Sequence, residues 1–292
     1  MNKPSQPKII AAMPAYNEGK YIGSMVLKTK QYVDEVIIVD DGSTDDTSEI
    51  ARLAGATVVR HDVNMGYGAA IQRILLEARK RNPEALVLLD ADTQHNPGEI
   101  PEIIKPILDG FDLVIGSRKQ QVGHIPRYRR IGQNVILFFT RFLSKDNLSD
   151  SECGFRVFSR KAIAILELKE TGMAVSAETI AEASSKGLKV TEVLVNVTYT
   201  KDSSTLNPVA HGLEVLTRIM VMISERRPLF FFGIGGAVTA SLGVLAGIRT
   251  LQIFTTAGVV AVGTALVSTL LLIIGVFSLF TGIILHVMTR RS

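Results

Sequence analysis

From Leu229 to Ile248 the chain passes through 20 residues without a charge, the length a helix needs to cross a bilayer. After Arg249 an uncharged run resumes at Leu251 and lasts to Leu285. At about 1.5 Å per helical residue that second run is too long for one straight span. The second helix is therefore placed near Gly258 to Leu285, with Leu251 to Ala257 as loop. Arg226 and Arg227 precede the first run, Arg290 and Arg291 follow the second, and only Arg249 lies between. By the positive-inside rule both termini, and everything before the hairpin, face the cytoplasm. The alternative is a helical hairpin buried in a soluble protein. Gly233, Gly235, Gly236, Gly243 and Gly247 offer small faces for close packing, within one chain or between copies in a homo-oligomer.

Hydrophobic residues make up 47% of the 292, and almost all of the excess lies after Leu229. What precedes has the composition of a water-soluble domain. The formal net charge of +4 suits an anionic partner. No Lys/Arg run with interleaved aromatics occurs, so nucleic acid is not the expected one; a membrane surface or a phosphate-bearing substrate fits better. A single cysteine, Cys153, excludes an intrachain disulfide framework and reads as a small buried residue. Met1 to Pro7 is polar, with no apolar signal-peptide core.

The soluble part alternates short apolar runs with helical spacing. Lys8 to Met13 reads as a strand ending in P-A-Y-N-E; Lys20 to Tyr32 has helical spacing; Glu35 to Val39 is a strand ending in D-D-G-S-T. Ser43 or Thr44 can N-cap a helix that runs to Ala54 and stops at Gly55. Thr57 to Arg60, Ala85 to Leu89, Leu113 to Gly116 and the alternating run Val190 to Tyr199 complete the strands, with helices over Ala69 to Arg81 and Pro97 to Leu108. The alternation predicts a mostly parallel, doubly wound α/β sheet, in which ligands bind beyond the carboxyl ends of the strands. Each polar cluster falls there: after Met13, after Val39, near Asn64, after Leu89 and at Ser117-Arg118.

The run A-L-V-L-L-D-A-D-T-Q-H, residues 85 to 95, carries the chemistry. Residues i and i+2 of a strand share a face, so Asp90 and Asp92 are expected to present two carboxylates together. Two bare carboxylates repel and raise one pKa; a divalent cation relieves the conflict, and Gln94 can add a third oxygen. An oxygen-ligated metal with open positions suits a diphosphate. A pair of solvated loop aspartates is the plain alternative, as is a structural role for His95.

The ordered set P-A-Y-N-E, V-D-D-G-S-T-D-D-T, N-M-G-Y-G-A-A, L-D-A-D-T-Q-H, G-S-R and D-S-E-C-G-F-R-V-F resembles family 2 glycosyltransferases of the GT-A fold. Within that family it is most similar to dolichol-phosphate mannose synthases and other polyprenyl-phosphate glycosyltransferases. The resemblance implies an inverting transfer of one sugar from a nucleotide sugar, GDP-mannose or a UDP-sugar, to a polyprenyl or dolichyl phosphate, with Mg²⁺ or Mn²⁺. It implies that Pro14, Tyr16 and Glu18 line the base and ribose pocket with Val39 and Asp41. Asp90, Ala91, Asp92 and Gln94 would hold metal and diphosphate, and Arg118 would face phosphate. In P-R-Y-R-R, Arg127 or Arg130 would grip the acceptor phosphate. Asp150 would orient the arginines or the sugar, Glu178 matches a glutamate near the donor sugar, and Lys201 lies in a loop that closes on the diphosphate, where an arginine is expected. Arg156 reads better as a structural ion pair than as a ligand.

The expected organisation is a catalytic domain over residues 1–208, an amphipathic interfacial helix over 209–227 and a transmembrane hairpin over 228–292. Leu213, Leu216, Ile219, Met220 and Ile223 form the apolar side of the amphipathic helix, which would lie along the cell membrane. A processive polysaccharide synthase would want a Q-x-x-R-W motif, and the chain has no tryptophan. A nucleotidyltransferase would want a glycine-rich basic signature where P-A-Y-N-E stands. Transfer to a non-lipid glycan acceptor and a non-enzymatic scaffold are the remaining alternatives.

Overall fold

The computed structural model describes residues 8–118, 134–141, 148–197 and 208–289. The chain divides into two compact units, Met1–Ile219 and Met220–Ser292.

The first unit is built on seven strands: β1 (Ile9–Ala15), β2 (Glu35–Asp40), β3 (Thr57–Arg60), β4 (Ala85–Leu88), β5 (Leu113–Ser117), β6 (Arg156–Ser159) and β7 (Val190–Leu194). Their order across the sheet is β3-β2-β1-β4-β6-β5-β7. Neighbours are parallel except at β6, which runs antiparallel to both β4 and β5. The expected parallel α/β sheet is therefore present, with one reversed strand in its middle.

β1, β2, β4 and β5 are apolar runs buried on both faces, as central strands of a covered sheet must be. The covering helices are α1 (Ile22–Thr29), α2 (Thr47–Leu53), α3 (Tyr67–Arg81), α4 (Ile100–Leu108), α5 (Arg160–Ile165) and α6 (Val175–Ser185). They fall into two groups: α1 packs with α2 and with the 3-10 turn Pro97–Glu99, whereas α3 packs with α5 and α6. Phe155 and Phe158 are among the largest fully buried side chains.

Local chemistry explains several boundaries. α3 ends on Asn82 in the left-handed conformation, and Arg79, Lys80 and Arg81 oppose the negative end of its dipole. α2 begins later than capping by Ser43 or Thr44 predicts. The Ser43 hydroxyl accepts from Asn17 N (2.9 Å), Thr44 N donates to Asn17 Oδ1 (2.8 Å), and Asp45 takes over the capping of Thr47 N (3.0 Å). β4 stops at Leu88, and the chain bends through residues 91–93, with Thr93 at φ 65°. Asp90 and Asp92 therefore stand on a turn, where strand alternation no longer fixes which way a side chain points.

In the second unit, helix α8 (Pro228–Ala257) and helix α9 (Val262–Thr289) pack along their length. The expected loop over 251–257 is helical, because nothing between Arg249 and Ala257 breaks a helix; Gly258, at φ 67°, ends it. The seam is close. A β-carbon on Gly275 would stand 2.5 Å from Ala240 N, and Ser268 Oγ donates to the Gly243 carbonyl at 2.8 Å. Leu242, Leu245, Phe277 and Phe280 are exposed, so the outside of the pair is as apolar as its inside. The preceding helix α7 (Pro208–Arg226) buries Val215, Ile219, Met222 and Ile223 and leaves Leu213 exposed. Of the five residues expected on one apolar side, Ile219 and Ile223 are buried, Leu216 and Met220 half-buried and Leu213 exposed.

Candidate active site

The two loops after β1 and β2 are tied into one surface. Asn17 adopts φ 57°, and Glu18 N donates to Thr47 Oγ1 (2.8 Å) and Gly19 N to Asp45 Oδ2 (3.0 Å). Pro14 is buried in β1, while Tyr16 is 47% exposed and free to meet a flat ligand face. Asp40, with no exposure, accepts from Ser43 N (2.8 Å) and the Ser48 hydroxyl. Asp41 is also buried. It accepts from Met65 N (2.9 Å) and Gly66 N (2.8 Å) and pairs with His61 Nδ1 (2.7 Å). Its carboxylate thus shapes the turn before α3, and one of its roughly four lone-pair positions is left for anything else. Val39 is fully buried, so only its backbone can meet a ligand.

Asp90 lies beyond β4 and is held from two sides. Tyr67 OH, from the first residue of α3, donates to Oδ1 at 3.0 Å, and His95 Nε2 lies 3.4 Å from Oδ2. Burial pushes the Asp90 pKa up, but the bonds from His95 and Tyr67 and the charge of Arg118 outweigh it and hold the carboxyl below its usual value. His95 is buried, bridges to Val197, and rests 5.4 Å from the Phe155 ring. Asp92 takes Gln94 N (3.0 Å) and the Gln94 side-chain amide, while Ala91 between the two aspartates is buried. The Asp92 carboxyl is raised, by burial and then by the charge of Asp90. Glu18 completes this corner: burial, then Asp92, Asp45 and Asp90, push it up to about 7.

Arg118 follows β5 and grips Asp150 through Nε (2.6 Å) and Nη2 (2.9 Å), the strong two-point geometry of guanidinium on carboxylate. Burial raises the Asp150 pKa, and the Arg118 bonds and charge more than reverse it. Asp150 is itself held by Glu192 on β7, whose carboxylate accepts from Ser149 N (2.6 Å), Ser149 Oγ (2.8 Å) and Asp150 N (2.9 Å). Glu178 accepts from Lys169 N (3.0 Å) and Glu170 N (2.9 Å) and so braces the loop between α5 and α6. Arg156 makes no carboxylate pair among the described residues. Its guanidinium donates to the carbonyls of Cys153 (2.9 Å), Ser176 (2.9 Å) and Ser151 (2.8 Å). Burial pushes the Cys153 thiol up to about 12, in keeping with an inert packing residue.

The structure thus gathers Glu18, Asp90, Asp92 and Gln94 at one corner and Arg118 with Asp150 beside it. Arg127, Arg130 and Lys201 lie outside the described residues. Tyr67 and Glu192 were not singled out from sequence. The first was hidden in a turn motif that reads as backbone geometry; the second was one charged residue in an alternating strand.

Whether a divalent metal suits this corner can be judged from its donors. Among the described residues, no group of three His, Cys, Asp or Glu forms a cage for an ion. The donors at hand are hard oxygens, and two of the three carboxyls are raised, by burial first and then by their neighbours' negative charge. Such a corner fits a hard cation held by one or two protein ligands and shared with substrate phosphates.

Residues 10–166 match the model of the family described as Glycosyl transferase family 2. The chain belongs to this family and is a glycosyltransferase. It is 29% identical over 240 residues, 73% of this chain and 95% of the relative, to the UDP-N-acetylglucosamine–dolichyl-phosphate N-acetylglucosaminyltransferase of Methanococcus voltae. It is 30% identical to the dolichyl-phosphate hexose transferase of Haloferax volcanii, over 75% of this chain and 95% of that one. Its fold is similar to that of glucosyl-3-phosphoglycerate synthase from Mycobacterium tuberculosis, solved with Mn²⁺, UDP and glucosyl-3-phosphoglycerate. The TM-score is 0.60 at 23% identity, covering 75% of this chain and 80% of that one.

Proposed function

We propose that this enzyme transfers one sugar from a nucleotide sugar to a polyprenyl or dolichyl phosphate at the cytoplasmic face of the cell membrane, inverting the anomeric carbon. The observation that carries the reading is the acidic corner of Glu18, Asp90 and Asp92 at the carboxyl ends of β1 and β4, with Arg118 across from it. The names of the two dolichyl-phosphate relatives support the acceptor. The apolar outside of the α8–α9 pair supports the membrane. Both helices are long enough to span: 30 residues of α8 make roughly 45 Å against a hydrocarbon core of about 30 Å. In this reading residues 1–208 are catalytic, 209–227 lie in the interface, and 228–292 span the membrane with both termini cytoplasmic.

Pro14, Tyr16, Glu18, Val39 and Asp41 would form the base and ribose pocket, Pro14 and Val39 through their backbone. Asp92 and Gln94, with Asp90 behind them, would hold Mg²⁺ or Mn²⁺. That ion, when bound, neutralises charge on the leaving diphosphate. Tyr67 and His95 keep Asp90 ionised and oriented. Asp150 keeps Arg118 extended toward the phosphates. An acceptor phosphate is already anionic, so positioning it in line with the anomeric carbon supplies much of the rate, and Arg127 or Arg130 is assigned to that task.

The test uses purified protein in detergent with Mg²⁺ or Mn²⁺, a polyprenyl phosphate and a panel of GDP- and UDP-sugars, read by mass spectrometry for glycosylated lipid. A product from one donor, lost on chelation and in Asp92→Ala, is expected. Donor hydrolysis or a water-soluble glycan without glycolipid would overturn the lipid acceptor.

A further inference from the structure

Residues 150–154 cross the site between its two charged groups. At one end, Asp150 holds Arg118. At the other, Gly154 lies against the Asp90 carboxylate. Between them the backbone is clamped, because Arg156 donates to the carbonyls of both Ser151 and Cys153, and Glu152 N donates to Asp150 Oδ1 at 3.1 Å. Glu152 stands at the apex of this clamped turn. Its Oε1 is closed off from solvent and has no hydrogen-bond partner among the described residues.

A buried carboxylate oxygen without a donor carries the full cost of its lost hydration, so its presence in a folded site calls for a partner. Phosphate oxygens are acceptors and cannot serve. The hydroxyls of a sugar are donors and can. In that reading the diphosphate lies between Asp90, Asp92 and Arg118, and the transferred sugar is the hydroxyl-bearing group that follows it. The geometry points to Glu152 as a specificity-determining residue that accepts a hydrogen bond from a hydroxyl of the transferred sugar. This rests on the nucleotide-sugar reading above. Burial, set against the charges of Arg156 and Arg118, pushes the Glu152 carboxyl up to about 7, as expected of an acceptor whose donor arrives with the substrate.

The experiment is calorimetric titration of the full-length protein in detergent with Mn²⁺. The probes are UDP-glucose, UDP-N-acetylglucosamine and GDP-mannose, each beside its nucleoside diphosphate. Glu152→Gln and Glu152→Ala should weaken the preferred nucleotide sugar by about 10- to 100-fold, the worth of a hydrogen bond to a charged group, and leave UDP or GDP unchanged. Unchanged nucleoside diphosphate affinity also certifies that the variants fold. Deoxy analogues of the preferred donor locate the hydroxyl: one should bind the parent weakly and bind Glu152→Ala no worse than the complete sugar does. Equal weakening of sugar and diphosphate, or retained sugar affinity, overturns the assignment to Glu152. A parent protein that binds the diphosphates but gains nothing from any sugar overturns it as well. Only a parent that binds no nucleotide at all defeats the nucleotide-sugar reading itself.

Discussion

Gly154 stands so close to Asp90 that a β-carbon on it would lie 2.1 Å from the carboxylate Oδ2. The contact explains why a glycine interrupts D-S-E-C-G-F-R: a side chain here would push Asp90 off Tyr67 and His95. Gly154→Ala is expected to cut sugar transfer by at least about 10-fold, in line with the roughly 1–3 kcal/mol of overpacking a filled contact. Steady-state transfer rates together with far-ultraviolet circular dichroism check this. Full activity in the variant would show that Asp90 does not need its present position.

Glu192 touches no part of the acidic corner, yet its carboxylate fixes the backbone from which Asp150 reaches Arg118. Glu192→Gln and Asp150→Asn should each slow transfer, and the double variant should be little worse than the poorer single one, because both act through Arg118. Additive losses in the double-mutant cycle would mean that Glu192 serves some other part of the molecule.

Glu178 accepts backbone amides from Lys169 and Glu170 while only 5% exposed. Glu178→Gln should therefore cost about 1–3 kcal/mol of stability, seen as a lower Tm by differential scanning calorimetry in detergent. A variant that melts like the parent but no longer turns over would move Glu178 from bracing to sugar contact.

The Glu152 carboxyl, raised from 4.5 to about 7, links folding to pH. The folded protein binds this proton more tightly than the unfolded chain does. The stabilisation is thus complete below about 4.5 and is lost as pH rises through about 7. Glutamine imitates the protonated form at every pH. Glu152→Gln should match the parent near pH 4.5 and exceed it in Tm at pH 8. Coincident melting profiles across that range would contradict the burial of this charge.

Much of the α/β unit was readable from sequence because each apolar run that forms β1, β2, β4 or β5 ends in polar residues at its carboxyl end. β6 was not, since R-V-F-S is four residues long and reads as the tail of a motif, with no turn signal to announce a reversed strand. The candidate site was legible as a set of positions rather than as a set of partnerships. Asp41 and Asp90 could be placed at strand ends, but not His61, Met65 and Gly66 around the one, or Tyr67 and His95 around the other. Except for His95, five residues from Asp90, those partners lie 20 to 25 residues away, and no local pattern encodes them. The same holds for Arg156, whose three carbonyl partners look like nothing in a list of charges. In the second unit, Arg249 suggested an end to the first helix, but one long cation does not break a helix whose next eight residues, Thr250 to Ala257, are all compatible with it.

The reversed strand β6 has a mechanical consequence. It is hydrogen-bonded to β4 on one side and to β5 on the other, so the strand that leads to Asp90 and the strand that leads to Arg118 belong to one continuous plate. The two sides of the site cannot part like the jaws of a two-lobed enzyme without breaking that plate. A substrate must therefore enter and leave with the sheet unchanged, and the distance between the acidic corner and the Arg118–Asp150 pair keeps the same span throughout a turnover.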